Sequence, residues 1–171
     1  MNSAACLPHI RHATKYECVG LDQLQNPAVR FGTAYWMAQR GTRRFPAREE
    51  LRPRDMKGVL RNISLAKVLD GDFLYRVVGD ATVRAYSLPL QNRRVSELTL
   101  EAPLLGRALH ELLGRVARSG EPLAIRGHIG RDGAHVNFTD FENALLPLGA
   151  DHQTVDHILT VSTYTMRASR T

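Results

Sequence analysis

Arg76 is the first residue whose chemistry asks for an explanation, because it stands alone inside the apolar run Phe73-Leu74-Tyr75-Arg76-Val77-Val78-Gly79. A charge among apolar neighbours needs a partner, since burying it unpaired costs several kcal/mol. Two partners suggest themselves. Glu142 on a later apolar run could neutralise it across a sheet, or Arg76 could grip an anionic ligand with Tyr75, Thr82 and Tyr86 beside it. Asp140 and Glu142, two apart on an extended segment, share a face and could form a carboxylate pair, although a structural partnership for Glu142 is the simpler use. His128 and His135 flank a turn and could approach each other, yet no third ligand accompanies them. Cys6, His9, His12 and Cys18 are zinc-binding residue types, but they lack the Cys-x-x-Cys knuckle of a structural site. The chain contains no Gly-x-x-x-x-Gly-Lys loop, no His-Glu-x-x-His and no Gly-x-Ser-x-Gly elbow. These residues therefore name no catalytic set and no metal site.

The elements that would position these residues are legible from turns and caps. Ser64–Leu69 and Phe73–Gly79 flank Asp70-Gly71, which predicts an antiparallel hairpin with a type I′ turn, both central residues taking positive φ. Asn26-Pro27 predicts a helix start and Gly41 its end. On that helix Ala28, Phe31, Tyr35 and Ala38 recur at helical spacing, with Val29 and Trp36 to one side. Such a helix has apolar surface enough to cover a sheet and to meet a second copy of the protein, with Phe31, Tyr35 and Trp36 as interface candidates. A short helix follows Asp80 and ends by Tyr86. After a polar connection, the apolar pattern from Pro103 to Ser119 predicts the longest helix, closed by Gly120. Three strands complete the chain: residues 123–130, 135–148 and 155–164. Five antiparallel strands with helices to one side, plus an extra N-terminal helix, make an α+β domain.

Length and charge narrow the function. A chain of 171 residues suits one domain. The net charge of +6 is concentrated between Arg40 and Arg61, where eight basic residues face three acidic ones. That segment reads as solvated surface, with an anionic partner, nucleic acid included, as the lesser alternative. Residues 1–22 read as a flexible N-terminal arm with no secretory signal, and no stretch reaches the ~20 apolar residues a bilayer requires. A cytoplasmic protein with no membrane partner is expected, and with it free thiols at Cys6 and Cys18.

The words Ala34-Tyr35-Trp36, Phe45-Pro46-Ala47-Arg48, Leu51-Arg52-Pro53, Tyr75-Arg76-Val77-Val78-Gly79, and Glu142 with Leu145-Leu146-Pro147-Leu148 occur in that order. From about Arg30 to Tyr164 the chain resembles the PAS-type family of short alphaproteobacterial proteins. The resemblance implies a PAS-like core over residues 45–165 behind an N-terminal helix at 23–44, with 166–171 as a tail. It further implies a sheet with a pocket under its helices, and signalling without catalysis. The cofactor is left unknown. A flavin adduct needs a cysteine within the core, whereas both precede it, and His110, the one histidine on the long helix, lies toward its polar edge, which argues against heme. The expectation is a single-domain sensory protein that binds a small ligand, a protein partner or both, and forms a homodimer. A ligand-free interaction adaptor is the alternative; a small α+β enzyme or a nucleic-acid binder ranks lower.

Overall fold

The computed structural model describes residues 14–129 and 135–168. The hairpin around Asp70-Gly71 forms as the sequence predicts, joining β2 (Ile63–Leu69) to β3 (Asp72–Val78) with Leu69 opposite Asp72. Its turn differs from type I′: Gly71 has φ +70° but Asp70 is not in the left-handed region. The later strands β4 (Leu123–Ile129), β5 (Phe138–Leu148) and β6 (His157–Met166) pair antiparallel, and β6 joins β2. A sixth strand, β1 (Thr14–Val19), adds to β4. The sheet order is β1-β4-β5-β6-β2-β3. Part of the stretch expected as a flexible arm is thus strand. Residues 14–19 lack an apolar run of their own, and their pairing comes from the free edge of β4.

Helix α1 (Pro27–Arg40) starts where its cap demands, the Asn26 side chain accepting from Ala28 N at 2.9 Å, and it stops at Gly41, whose φ is +57°. Its buried face is not the expected stripe. Val29, Gly32, Thr33 and Trp36 turn to the sheet, while Phe31, Ala34, Met37 and Ala38 turn to solvent. The reason is Gly32. A Cβ there would come within 2.7 Å of Val161 Cγ2, so the missing side chain is what lets the helix lie flat on β6. Trp36 is wholly buried and its indole N–H donates to Pro147 O at 2.9 Å. It therefore offers nothing to a second copy, contrary to its place among the interface candidates.

Val161 meets α1, so its neighbours Thr160 and Ser162 must face the other side of the sheet. That side is covered by α2 (Asp80–Ala85), α3 (Val95–Glu101) and α4 (Pro103–Ser119). The expected polar connection contains α3. Its start is held by Asp72, which accepts from Ser96 Oγ at 2.6 Å, Ser96 N at 3.2 Å and Phe73 N at 2.8 Å. Burial alone would raise the Asp72 carboxyl, but these hydrogen bonds hold it below its ordinary range. The outer edge of β3 is closed by the chain before α3: Tyr75 N donates to Arg93 O, Asn92 N to Tyr75 O and Gln91 Nε2 to Arg76 O.

Candidate functional site

Between the sheet and α4 lies a cavity of about 40 Å³. Strand alternation supplies its floor. Thr160, Ser162 and Tyr164 come from β6, Asn143 and Leu145 from β5, Ser64 from β2 and Tyr75 from β3. Thr82 and Tyr86 close it from α2 and its end, Leu90 from the connection, and Leu109, Leu112 and Leu113 from α4. The sheet side is mostly polar, and α4 contributes only leucines. Ser64 Oγ donates to Thr82 Oγ1 at 3.3 Å, and the Thr82 and Tyr164 hydroxyls meet at 3.4 Å. Tyr164 also packs on Phe138 at 4.7 Å between ring centroids and edge-on to Tyr86 at 5.9 Å.

No lining residue carries a charge at neutral pH. Burial pushes the Tyr75, Tyr86 and Tyr164 phenols above their ordinary range, and their mutual proximity adds to this for Tyr75 and Tyr86. All three stay protonated. One polar atom is left over: Asn143 Oδ1 is buried and accepts no hydrogen bond from the protein. Its volume also sets a limit. A cavity near 150 Å³ is what benzene fills, so the site in this shape takes only a few heavy atoms.

Of the residues expected to bind a ligand, Tyr75, Thr82 and Tyr86 do converge on the cavity, whereas Arg76 does not. In the β2–β3 register Leu65 faces Val77 and Ala66 faces Tyr75, so Arg76 is the extra residue of a β-bulge, and the bulge turns it outward into solvent. Arg76 is therefore neither the partner of Glu142 nor a grip on an anion in the cavity. Glu142 has a different cation, Arg126 Nε, at 3.2 Å. The same carboxylate accepts from Gln25 N at 3.0 Å and Asn26 N at 2.8 Å, anchoring the turn that launches α1. Asp140 pairs with His128 at 3.0 Å and Glu142 with Arg126, so the two carboxylates serve separate partners and form no pair. His110 lies outside the cavity, its ring nitrogen 3.0 Å from Gly71 O and its ring edge against Phe73. The Cys6, His9 and His12 pattern lies outside the described residues. Cys18 is disulfide-bonded, which corrects the free thiol expected there. Among the described residues no cluster of His, Cys, Asp and Glu could hold a metal ion.

Asn143 escaped the sequence reading. Its signal was present: Glu142-Asn143 is the only polar pair between Phe141 and Leu148, and alternation sends one member to each face of the strand.

A six-stranded antiparallel sheet with its helices folded over a small interior hollow matches the architecture that the sequence words implied. Residues 24–163 match the family model described as PAS domain. The chain belongs to the PAS domain family. The match runs from just before α1 into β6, so the PAS unit includes the N-terminal helix and leaves β1 as an addition to its sheet. No curated protein matches the chain. A PAS domain carries a sensory or signalling role. Among the described residues no helix is long and apolar enough to cross a membrane.

Proposed function

We infer that this PAS domain is a non-catalytic sensory protein that takes a small ligand into the cavity beneath α4 and passes the change to a protein partner. The observation that carries this reading is the cavity: hydroxyl, phenol and amide groups converge on a hollow with no ionised side chain. Acid–base or nucleophilic catalysis would need a group poised to ionise near neutrality, and the three phenols are displaced away from it. Occupancy would bias the segment between Asp80 and Pro103, which contributes Thr82, Tyr86 and Leu90 to the lining and also closes the edge of β3. The homodimer would use the outer side of α1. Phe31 and Met37 remain 47% and 44% exposed there, while the Tyr35 hydroxyl is engaged by Arg52 N at 2.9 Å. Arg43 and Arg44 serve the fold, on Glu50 and Ser119 O respectively; Arg48, Arg52, Arg54 and Lys57 stay exposed for any anionic partner.

Native mass spectrometry of freshly purified protein tests this. A bound small molecule and a two-subunit mass are expected; measured turnover of any substrate overturns the non-catalytic part. The small size of the cavity favours a second reading, an interaction adaptor that binds no ligand. That reading requires protein free of any small molecule that nonetheless captures a specific partner through α1.

A further inference from the structure

Resting on the ligand-binding reading above, we propose that the cavity takes a small neutral carbonyl compound, a ketone or aldehyde of a few heavy atoms, that its oxygen accepts from the Tyr75 hydroxyl, and that Tyr75 relays its arrival to the segment before α3. The first support is the state of the hydroxyls around the hollow. Ser64 Oγ donates to Thr82 Oγ1 at 3.3 Å, the Thr82 and Tyr164 hydroxyls meet at 3.4 Å, and Tyr164 also engages Tyr86 and Ser162. Tyr75 stands outside this network. It lines the cavity at 5% exposure, and among the described residues its phenol has no hydrogen-bond partner; burial and the neighbouring Tyr164 phenol are what act on it. Among the described residues, the unpartnered side-chain atoms sealed from any approach are Thr33 Oγ1, Arg40 Nε and Asn143 Oδ1. The Tyr75 oxygen is not one of them, so its O–H is a buried donor that a molecule in the hollow can reach.

The second support is the chemistry of the lining. No side chain there is charged at neutral pH, so an anion entering would shed its hydration with no charge to replace it. An alcohol or an amide would bring a donor of its own, and Asn143 Oδ1, the amide acceptor in the wall, is sealed from it. A carbonyl compound brings an acceptor alone, and its alkyl groups meet Leu90, Leu109, Leu112, Leu113 and Leu145. About 40 Å³ admits nothing larger without movement of α4. The third support is the place of Tyr75 in the fold. Its backbone N–H donates to Arg93 O at 3.1 Å, and its carbonyl accepts from Asn92 N at 2.8 Å. The residue whose side chain lines the cavity thus holds, through its backbone, the segment that closes the edge of β3 and supplies Leu90.

Acetone is the probe, with xenon as a control that fills the hollow without accepting a hydrogen bond. Each is titrated into the full chain while NMR follows the Tyr75 ring and the Asn92 backbone amide. Acetone should give a saturable shift at both, and Tyr75→Phe should weaken acetone about five- to tenfold while xenon binds parent and variant alike. Unchanged acetone affinity in Tyr75→Phe overturns the donor role, and a shift at the ring with none at Asn92 overturns the relay. Should Tyr75→Phe fail to fold, acetate, nearly isosteric with acetone but charged, decides on the parent chain: it should bind at least about tenfold more weakly, and equal or tighter binding overturns the neutral class. The absence of a saturable acetone shift overturns the carbonyl assignment whether or not xenon enters. A molecule retained in native mass spectrometry then leaves the broader sensory reading standing; an empty protein there removes both.

Discussion

Replacing Glu142 by Ala should loosen α1 specifically, and the size of the effect follows from what the carboxylate holds. Its side chain is 8% exposed and takes four contacts from three groups: Gln25 N at 3.0 and 3.1 Å, Asn26 N at 2.8 Å and Arg126 Nε at 3.2 Å. Removal strands two amides and one guanidinium. Breaking a buried pair costs 3–5 kcal/mol, and since the Arg126 side chain keeps 29% exposure and finds water, the lower end, about 3 kcal/mol, applies. For a domain of this length that lowers Tm by roughly 6–12 °C. Glu142→Gln keeps an acceptor for the amides and loses only the charge, so about 1–2 kcal/mol is expected. Thermal melts give the magnitude and hydrogen exchange gives the location, with the amides at Gln25, Asn26 and the first turn of α1 losing protection first. An Ala variant melting within about 1 °C of the parent, or a Glu142→Ala/Arg126→Met double-mutant cycle with no coupling energy, would refute the clasp.

Gly32→Ala gains about 1 kcal/mol of helix propensity but forces Val161 aside, so a net loss of up to about 2 kcal/mol is expected by urea denaturation; a stabilised variant would show that α1 is not seated against β6. Asp72→Asn should cost about 1 kcal/mol at pH 7. Because the folded Asp72 carboxyl lies below its ordinary range, its contribution is present at neutral pH and vanishes as pH falls through that depressed pKa, so parent and variant should converge in acid. The buried phenols act in the opposite direction. Their folded pKa values are raised, so their contribution is intact below about pH 10 and is lost as pH rises beyond it. Alkaline unfolding should therefore accompany phenolate absorbance, and Tyr164→Phe should shallow the pH dependence; an unchanged slope would mean that Tyr164 ionises freely in the native state.

The chain by itself determined whatever depends on near neighbours. Asn26-Pro27 and Gly41 bounded α1, Asp70-Gly71 joined β2 to β3, and Pro103 and Gly120 bounded α4. Caps and turns act over a few residues, where backbone dihedrals and local hydrogen bonds decide the outcome. Tyr75, Thr82 and Tyr86 meet around one hollow for a similar reason, since they belong to elements adjacent in sequence.

Tertiary structure decided the matters that turn on distant groups. Whether α1 presents Phe31 or Trp36 to the sheet depends on Gly32 finding Val161, more than a hundred residues away, and a glycine registers as nothing on an apolar stripe. The direction of Arg76 depends on a one-residue bulge in the pairing with β2, a register detail that no window on β3 alone contains. Helix α3 owes its start to the Asp72 carboxylate, and β1 owes its existence to the open edge of β4. Asn143 comes to line this hollow only once four strands and two helices have closed around it.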